Sequence, residues 1–594
     1  MMLLEDQLLA DVASVVNQLY SFAIDPSLIK IDKTPPEFEG EFTIVVFPFV
    51  KISKKNPEIT ANEIGSALKS KANYISDFNV VKGFLNLIIT EQFWIDTLYQ
   101  ISANKNYGIF PSTGKKVVIE YGGPNTNKPL HLGHLRNIVL GFSTATILET
   151  AGNEVHKVNI YNDRGIAICK SMVAYLRTGN DETPSSTGIK GDHFVGKYYV
   201  AYQTILEQEI GLMEMGNMSA EDAAKKADIY LEAVEMLQKW EAHDQDVLAL
   251  WKKMNGWVYE GFEETFEKLG IDFEKHYKES DYYLKGKELV KQGLEKNAFF
   301  KKEDGSIWVD LTGDGLDQKV LLRADGTSVY ITQDIGIAKE RYNDFKMDTS
   351  IYVVANEQDY HFKVLKLVLQ KLKEPYADGI YHLNYGMVDL PEGKMKSREG
   401  TVVDADDLIE EMQTEAKSFL QASEKSIDFS EDEIQKLAKQ VGLAALKYFI
   451  LKVEPKKRMV FNPKESIDLQ GNTGPFIQYT YARMQSIFRK MAEMQLNEKE
   501  IQFKNLNQAE KELIVWLYQY PQIVKTAAEN YSPAEIANYI YNLAKNYNHF
   551  YAEHSVLKAE SEDKMYLRIA LTKNVSYVIK HGLHLLGIEA PERM

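Results

Sequence analysis

The chain has 594 residues, 44% apolar and 11% aromatic, enough to fill the cores of several domains. Its one cysteine, Cys169, excludes an internal disulfide framework and a thiolate zinc cluster, which predicts a reducing compartment and no zinc. A formal charge of -16 disfavours a polyanion partner unless the charge is unevenly spread, with Lys51, Lys54, Lys55, Lys456, Lys457 and Arg458 as the basic spots. The start Met1-Met2-Leu3-Leu4-Glu5-Asp6 lacks a basic leader, and no later run has the length of a membrane span. A cytoplasmic protein with no membrane partner is expected.

In chain order, residues 1–113 combine an amphipathic opening helix with short strands at Phe42–Val50 and Gly83–Ile89. Residues 114–410 alternate apolar strands with helical periods, as an open parallel sheet does, and such sheets bind ligands at their carboxyl ends. Within this zone Val117-Val118-Ile119 reads as a buried strand, Gly122-Gly123 as a turn, and Leu130 onward as a helix starting near His131. The N–H groups and dipole of a helix start favour anions. His131 and His134, one turn apart, add side-chain donors, and Lys128 and Arg136 add charge. Residues 187–270 read as a helical insertion, in which Asp192-His193-Phe194 is more structural than catalytic. Downstream, Tyr330 and Asp334 share a face if their segment is helical. A basic, glycine-bounded loop, Lys394-Met395-Lys396-Ser397-Arg398-Glu399-Gly400, supplies a second anion site. Residues 411–594 are nearly all helix from about 430, with breaks at Gly471–Pro475, Pro521 and Pro533. Their aromatics Phe476, Tyr479, Tyr481, Tyr547, Phe550 and Tyr551 are core residues or stacking platforms for bases.

The pair His131-Leu132-Gly133-His134 and Lys394-Met395-Lys396-Ser397, in this order, resembles the H-I-G-H and K-M-S-K-S signatures of class I aminoacyl-tRNA synthetases. The surrounding residues are similar to the arginine-specific family: Glu120 to Arg136, Asn162-Asp163-Arg164-Gly165, Tyr330 to Gly336, Gln358-Asp359-Tyr360-His361, Gly471 to Tyr479, and the terminus Leu586 to Met594. The resemblance spans nearly the whole chain. It implies a multidomain α/β protein: a Rossmann-like, doubly wound parallel-sheet catalytic domain, an α+β N-terminal domain that grips the outer corner of tRNA, and an all-α helical bundle that binds the anticodon.

By the same resemblance the protein joins L-arginine to tRNA(Arg), using ATP with Mg²⁺ as substrate and no organic cofactor, and its first step waits for tRNA. A monomer is expected. The guanidinium fork needs paired acceptors and a ring face, which Glu120, Asp334 and Tyr330 fit, while Asn125 and Gln358 would hold the amino acid's main-chain groups. Catalysis of an in-line attack on the α-phosphate falls to His131, His134 and Lys394, with Gly133, Met395, Lys396 and Ser397 completing the ATP site. Gly133 would let adenine or ribose lie close to the helix backbone. Ser397 stands where the plain signature has a second lysine, a role that Lys128 is implied to take over; a register placing Lys396 or Arg398 on the phosphates stays open. Phe476, Tyr479 and Met594 map to the anticodon contacts. A nucleotidyl-transferring enzyme with a small-molecule acceptor and a silent, RNA-binding paralogue are the other two readings.

Overall fold

The computed structural model describes residues 4–35, 37–389, 403–422, 429–496 and 503–594. The chain forms two compact units. One comprises residues 1–107, 489–520 and 546–575; the other comprises 108–488, 521–545 and 576–594. These units do not follow the three zones expected from composition, because the C-terminal helical zone contributes to both.

In the first unit a four-stranded antiparallel sheet has the order Ile31–Lys33, Phe42–Val45, Phe84–Ile89, Ile75–Val81. The strand expected to reach Val50 stops at Val45, and a helix runs from Phe47 to Ser53. Pro48 sets this switch, since it cannot donate to a strand ladder but suits a helix's first turn. At the helical side of the unit, Glu510 is fully buried and compensated by Arg568 at 2.9 Å and Lys564 at 2.5 Å. Pro521, expected as a break, lies inside the helix Gln508–Glu529. A proline there cannot donate to the carbonyl four residues back, and the Tyr107 hydroxyl donates to that Leu517 oxygen at 2.8 Å instead.

The second unit is built on five parallel strands: β1 Lys116–Glu120, β2 Glu154–Tyr161, β3 Lys275–Lys278, β4 Thr349–Ala355 and β5 Ile380–Tyr385. Their spatial order is β5-β4-β1-β2-β3. The chain therefore winds outward from β1 in one direction and then, from β4, in the other, which opens a crevice at the carboxyl ends of β1 and β4. Val118, Val158, Tyr277, Tyr352 and Ile380 of these strands pack with Ile335 and Leu365 in one apolar core.

The helical insertion occupies Gly191–Glu214, Ala220–Lys226, Asp228–Glu241 and Gln245–Leu269, between β2 and β3. A small antiparallel sheet of Phe300–Lys301, Ile307–Val309 and Lys319–Leu322 follows β3 and was not foreseen from the sequence. Asp192 and His193 prove to be fastenings: Lys190 reaches both Asp192, at 3.2 Å, and Asp406, at 2.6 Å, and His193 lies 3.4 Å from Asp406. Asp192, His193 and Asp406 are the one metal-like trio among the described residues, and the ammonium groups of Lys190 and Lys268 already neutralise it. No described helix is long and apolar enough to cross a membrane.

Candidate active site

The turn after β1 is shaped by asparagines. Gly122 and Gly123 have φ of 96° and 61°, a region that favours glycine. Asn137 accepts from the Gly122 N–H at 2.6 Å and donates to the Val353 carbonyl at 2.6 Å, stitching the end of β1 to β4 across the crevice. Asn159 accepts from the Gly123 N–H at 2.9 Å, and a Cβ on Gly122 would lie 2.5 Å from the same oxygen.

Helix α1, Leu132–Thr150, starts as expected, with His131 as its N-cap. Its caps are the histidines themselves. His131 Nδ1 accepts from the Gly133 N–H and His134 Nδ1 from the His131 N–H, both at 3.1 Å, and the two rings stack with centroids 3.9 Å apart. Burial and the neighbouring Lys128 lower the pKa of His131 to about 4, and burial holds His134 well below its ordinary value. Both rings are therefore neutral near pH 7. A neutral ring whose Nδ1 accepts carries its proton on Nε2, so each histidine offers a fixed Nε2–H donor.

Two expectations change here. The first-turn N–H groups are not left for an anion: Leu132 donates to the Val403 carbonyl at 3.1 Å, Gly133 to His131 Nδ1, and His134 to the His131 carbonyl at 2.7 Å. Nor is Arg136 a phosphate-facing cation, because it is buried and donates to the carbonyls of Pro455, Lys457 and Met387. The close approach at Gly133 is that of the His131 ring, whose Cε1 would be 2.9 Å from an added Cβ. Lys128, half-buried with its pKa lowered by burial, supplies the local positive charge. Lys394, Met395, Lys396 and Ser397 lie outside the described residues. The segments flanking them are fastened to this same region: Arg136 holds Met387, and Ala405 donates to the Leu130 carbonyl at 3.0 Å.

The second part of the site is a cleft of about 410 Å³ at the sheet's switch point, lined by Glu120, Tyr330, Asp334, Arg341, Gln358 and His361 among others. Helix α2, Tyr330–Phe345, carries Tyr330, Asp334, Ile337 and Arg341 along one stripe facing it. Tyr330 is 80% exposed, its ring bare at the rim. Gln358 is exposed just ahead of helix α3, Asp359–Lys371. Asn125 lines the adjoining cleft, with Asn162, Arg164 and Glu279. The structure thus brings Glu120, Tyr330, Asp334 and Gln358 to one cavity, with Asn125 beside it.

Three charged groups here were missed from the sequence. Arg341 is wholly buried and ion-paired with Glu120, between the rings of Tyr277 and Tyr352. His361 Nε2 lies 2.5 Å from Asp334 Oδ2. Glu279 is pushed up to about 7, by burial first and then by Asp163 and Asp334, against the pull of Arg164. Extending the Tyr330–Asp334 spacing by two more turns would have found Arg341. His361 ends the Gln358–His361 block that resembles the family, without a role being read from it; nothing local marks Glu279.

Of the aromatics in the helical zone, Tyr481, Tyr547 and Phe550 are core, whereas Phe476 and Tyr479 are half-buried. The C-terminal segment is held by buried donors: Lys447 to the Gly587 carbonyl at 2.5 Å and Gln478 to the Glu589 carbonyl at 2.8 Å. Met594 is half-buried. Several of the basic spots are neutralised within the chain, Lys55 by Glu63, Lys457 by Glu454 and Arg458 by Asp389.

Comparison with known proteins places these features in context. Residues 97–462 match the class I (R) tRNA synthetase catalytic domain, residues 477–594 the DALR anticodon-binding domain, and residues 6–89 the arginyl-tRNA synthetase N-terminal domain. The chain is 54% identical to the arginine–tRNA ligase of Bacteroides thetaiotaomicron and 51% identical to that of Parabacteroides distasonis, over the full length of each chain. The solved arginyl-tRNA synthetase of Thermus thermophilus superimposes with a TM-score of 0.80 at 25% identity, covering all of both chains.

Proposed function

Since the chain belongs to the class I arginyl-tRNA synthetases and ligates arginine to tRNA with ATP as substrate, we propose that activation runs in the crevice between β1 and β4, arginine in the Glu120–Asp334 cleft and ATP at the head of α1. The observations that support this assignment are two Nε2–H donors fixed at the head of α1 and two acidic acceptors, Glu120 and Asp334, in one cleft at the sheet's switch point. Glu120 and Asp334 accept the guanidinium, with the Tyr330 ring closing over it, and Asn125 and Gln358 hold the main-chain groups.

The arginine carboxylate attacks the α-phosphate in line, the bond to the bridging oxygen breaks, and pyrophosphate leaves with that electron pair. No proton has to move. The histidines act as preorganised donors to the charge that builds on the phosphates, and their neutrality means that they do so by hydrogen bonding rather than as cations. Lys128 adds the nearby cation, with Lys394 acting on the departing pyrophosphate, Met395, Lys396 and Ser397 beside it, and Gly133 at the ribose side. The terminal ribose hydroxyl of tRNA(Arg) then attacks the arginyl carbonyl and AMP leaves.

Mg²⁺ arrives with ATP, and no zinc or organic cofactor takes part. Phe476, Tyr479 and Met594 meet the anticodon, and the first step waits for bound tRNA. The enzyme works as a cytoplasmic monomer. The three expected domains, 1–113, 114–410 and 411–594, divide these tasks. The test is ATP–pyrophosphate exchange with each amino acid, with and without tRNA: exchange with arginine alone, and only with tRNA present, is expected. Exchange without tRNA would remove the gating.

A further inference from the structure

Each acidic acceptor of the cleft already has a basic side chain on it. Glu120 is paired with Arg341, a guanidinium that is fully buried and permanently charged. Asp334 is paired with His361, whose ring sits 26% exposed at the cleft wall, on α3, across from α2. The two partners differ in kind. All four line one cleft, but Arg341 is wholly buried and Glu120 nearly so, whereas His361 and Asp334 are both partly exposed in its wall.

We propose that His361 is a positioning residue for Asp334, holding the carboxylate until the substrate's guanidinium takes it over. This rests on the assignment of Asp334 to the arginine side chain. Burial disfavours the imidazolium, but the hydrogen bond and charge of Asp334 outweigh it and raise the His361 pKa above its ordinary value. The other groups facing the pair do not reverse this. His382 of β5 donates from Nε2 to the Val354 carbonyl at 3.0 Å, and burial lowers its pKa. On α3 itself Asp359 is 3.0 Å from His382 Nδ1. Glu120 and Glu279 act on Asp334 from β1 and from beyond β3, and Arg341 neutralises the first. A protonated His361 and an incoming guanidinium then compete for one carboxylate, so that arginine binding releases a proton. KM for arginine falls by roughly tenfold per pH unit below the His361 pKa and levels off above it.

The experiment is KM and kcat for arginine in aminoacylation, at saturating ATP and tRNA, from pH 5.5 to 8.5. It is run on the full-length wild type, His361→Gln, His361→Leu and Asp334→Asn. Glutamine places an amide donor where Nε2 stands but does not titrate. His361→Gln is expected to match the wild-type KM at pH 8.5 and to lose the acid-side slope, with kcat unchanged. His361→Leu raises KM roughly tenfold at pH 8.5, because the carboxylate loses its orienting donor, and the glutamine variant rescues that loss. Titration of Glu279 is common to wild type and His361 variants and cancels in the comparison. An identical KM slope in wild type and His361→Gln overturns the proposal. If Asp334→Asn also leaves KM for arginine unchanged, the pocket assignment itself fails; if Asp334→Asn is severely impaired, only the role of His361 fails.

Discussion

The two halves of the site are prepared in opposite ways. At the head of α1, backbone N–H groups fix the histidine donors: Nδ1 of each ring is committed to the main chain, so Nε2 must carry the proton. In the cleft, basic side chains fix the acidic acceptors, Arg341 on Glu120 and His361 on Asp334. Donors for a phosphate can be set by caps that no ligand disturbs. Acceptors for a guanidinium cannot be left bare in a half-buried cleft, because an unpaired carboxylate there would take up a proton, and so they wait in ion pairs. On the proposed assignment, the nucleotide end is set by backbone caps and the amino-acid end by an exchange of partners.

The comparison breaks most sharply at Asp334. Asp334→Asn is expected to lower kcat/KM for arginine by about a thousandfold, the ~4 kcal/mol of charge pairing that a neutral amide cannot supply, and steady-state aminoacylation measures it. At the other end, His131→Ala and His134→Ala should each reduce kcat of pyrophosphate exchange by ~10²–10³ with KM for arginine retained, which separates the two halves kinetically. Gly133→Ala sharpens the point. Its Cβ pushes the His131 ring off the cap without touching the cleft, and a roughly tenfold loss in kcat is expected, again with the arginine KM retained.

The last effect concerns stability rather than turnover. Glu279 keeps its proton to about pH 7 when folded and releases it near 4.5 when unfolded, so the native state binds more protons in this window and wild-type stability falls as pH rises through it. Glu279→Gln removes that slope. Relative to wild type it should gain stability from pH 4.5 to 7, by up to ~1.4 kcal/mol per unit, as read by denaturant midpoints at pH 5 and pH 7.

The parallel sheet, the helix at His131 and the Tyr330–Asp334 face were legible in the sequence because each is a local periodicity. What was not legible is contact between segments remote in the chain. His361 meets Asp334 across 27 positions and Arg341 meets Glu120 across 221, and a lone arginine in a charged helix reads as surface. The sheet of Phe300–Leu322 has strands of two to four residues, too short for alternation to show. The helix at Phe47 was mistaken for strand because its apolar run outweighed the meaning of Pro48. Arg136 was expected to add positive charge near the anion site, and nothing in the signature tells that the carbonyls of Pro455 and Lys457 come back to claim it.

The Asn137 bridge has a consequence for selectivity. One side-chain amide clasps the two strands between which the cleft opens, so the distance from the cleft's floor to the head of α1 is set before any substrate arrives. The site is thus a ruler. With arginine seated as proposed, a guanidino acid one methylene shorter or longer is expected to seat its fork or to present its carboxylate to the phosphate, but not both.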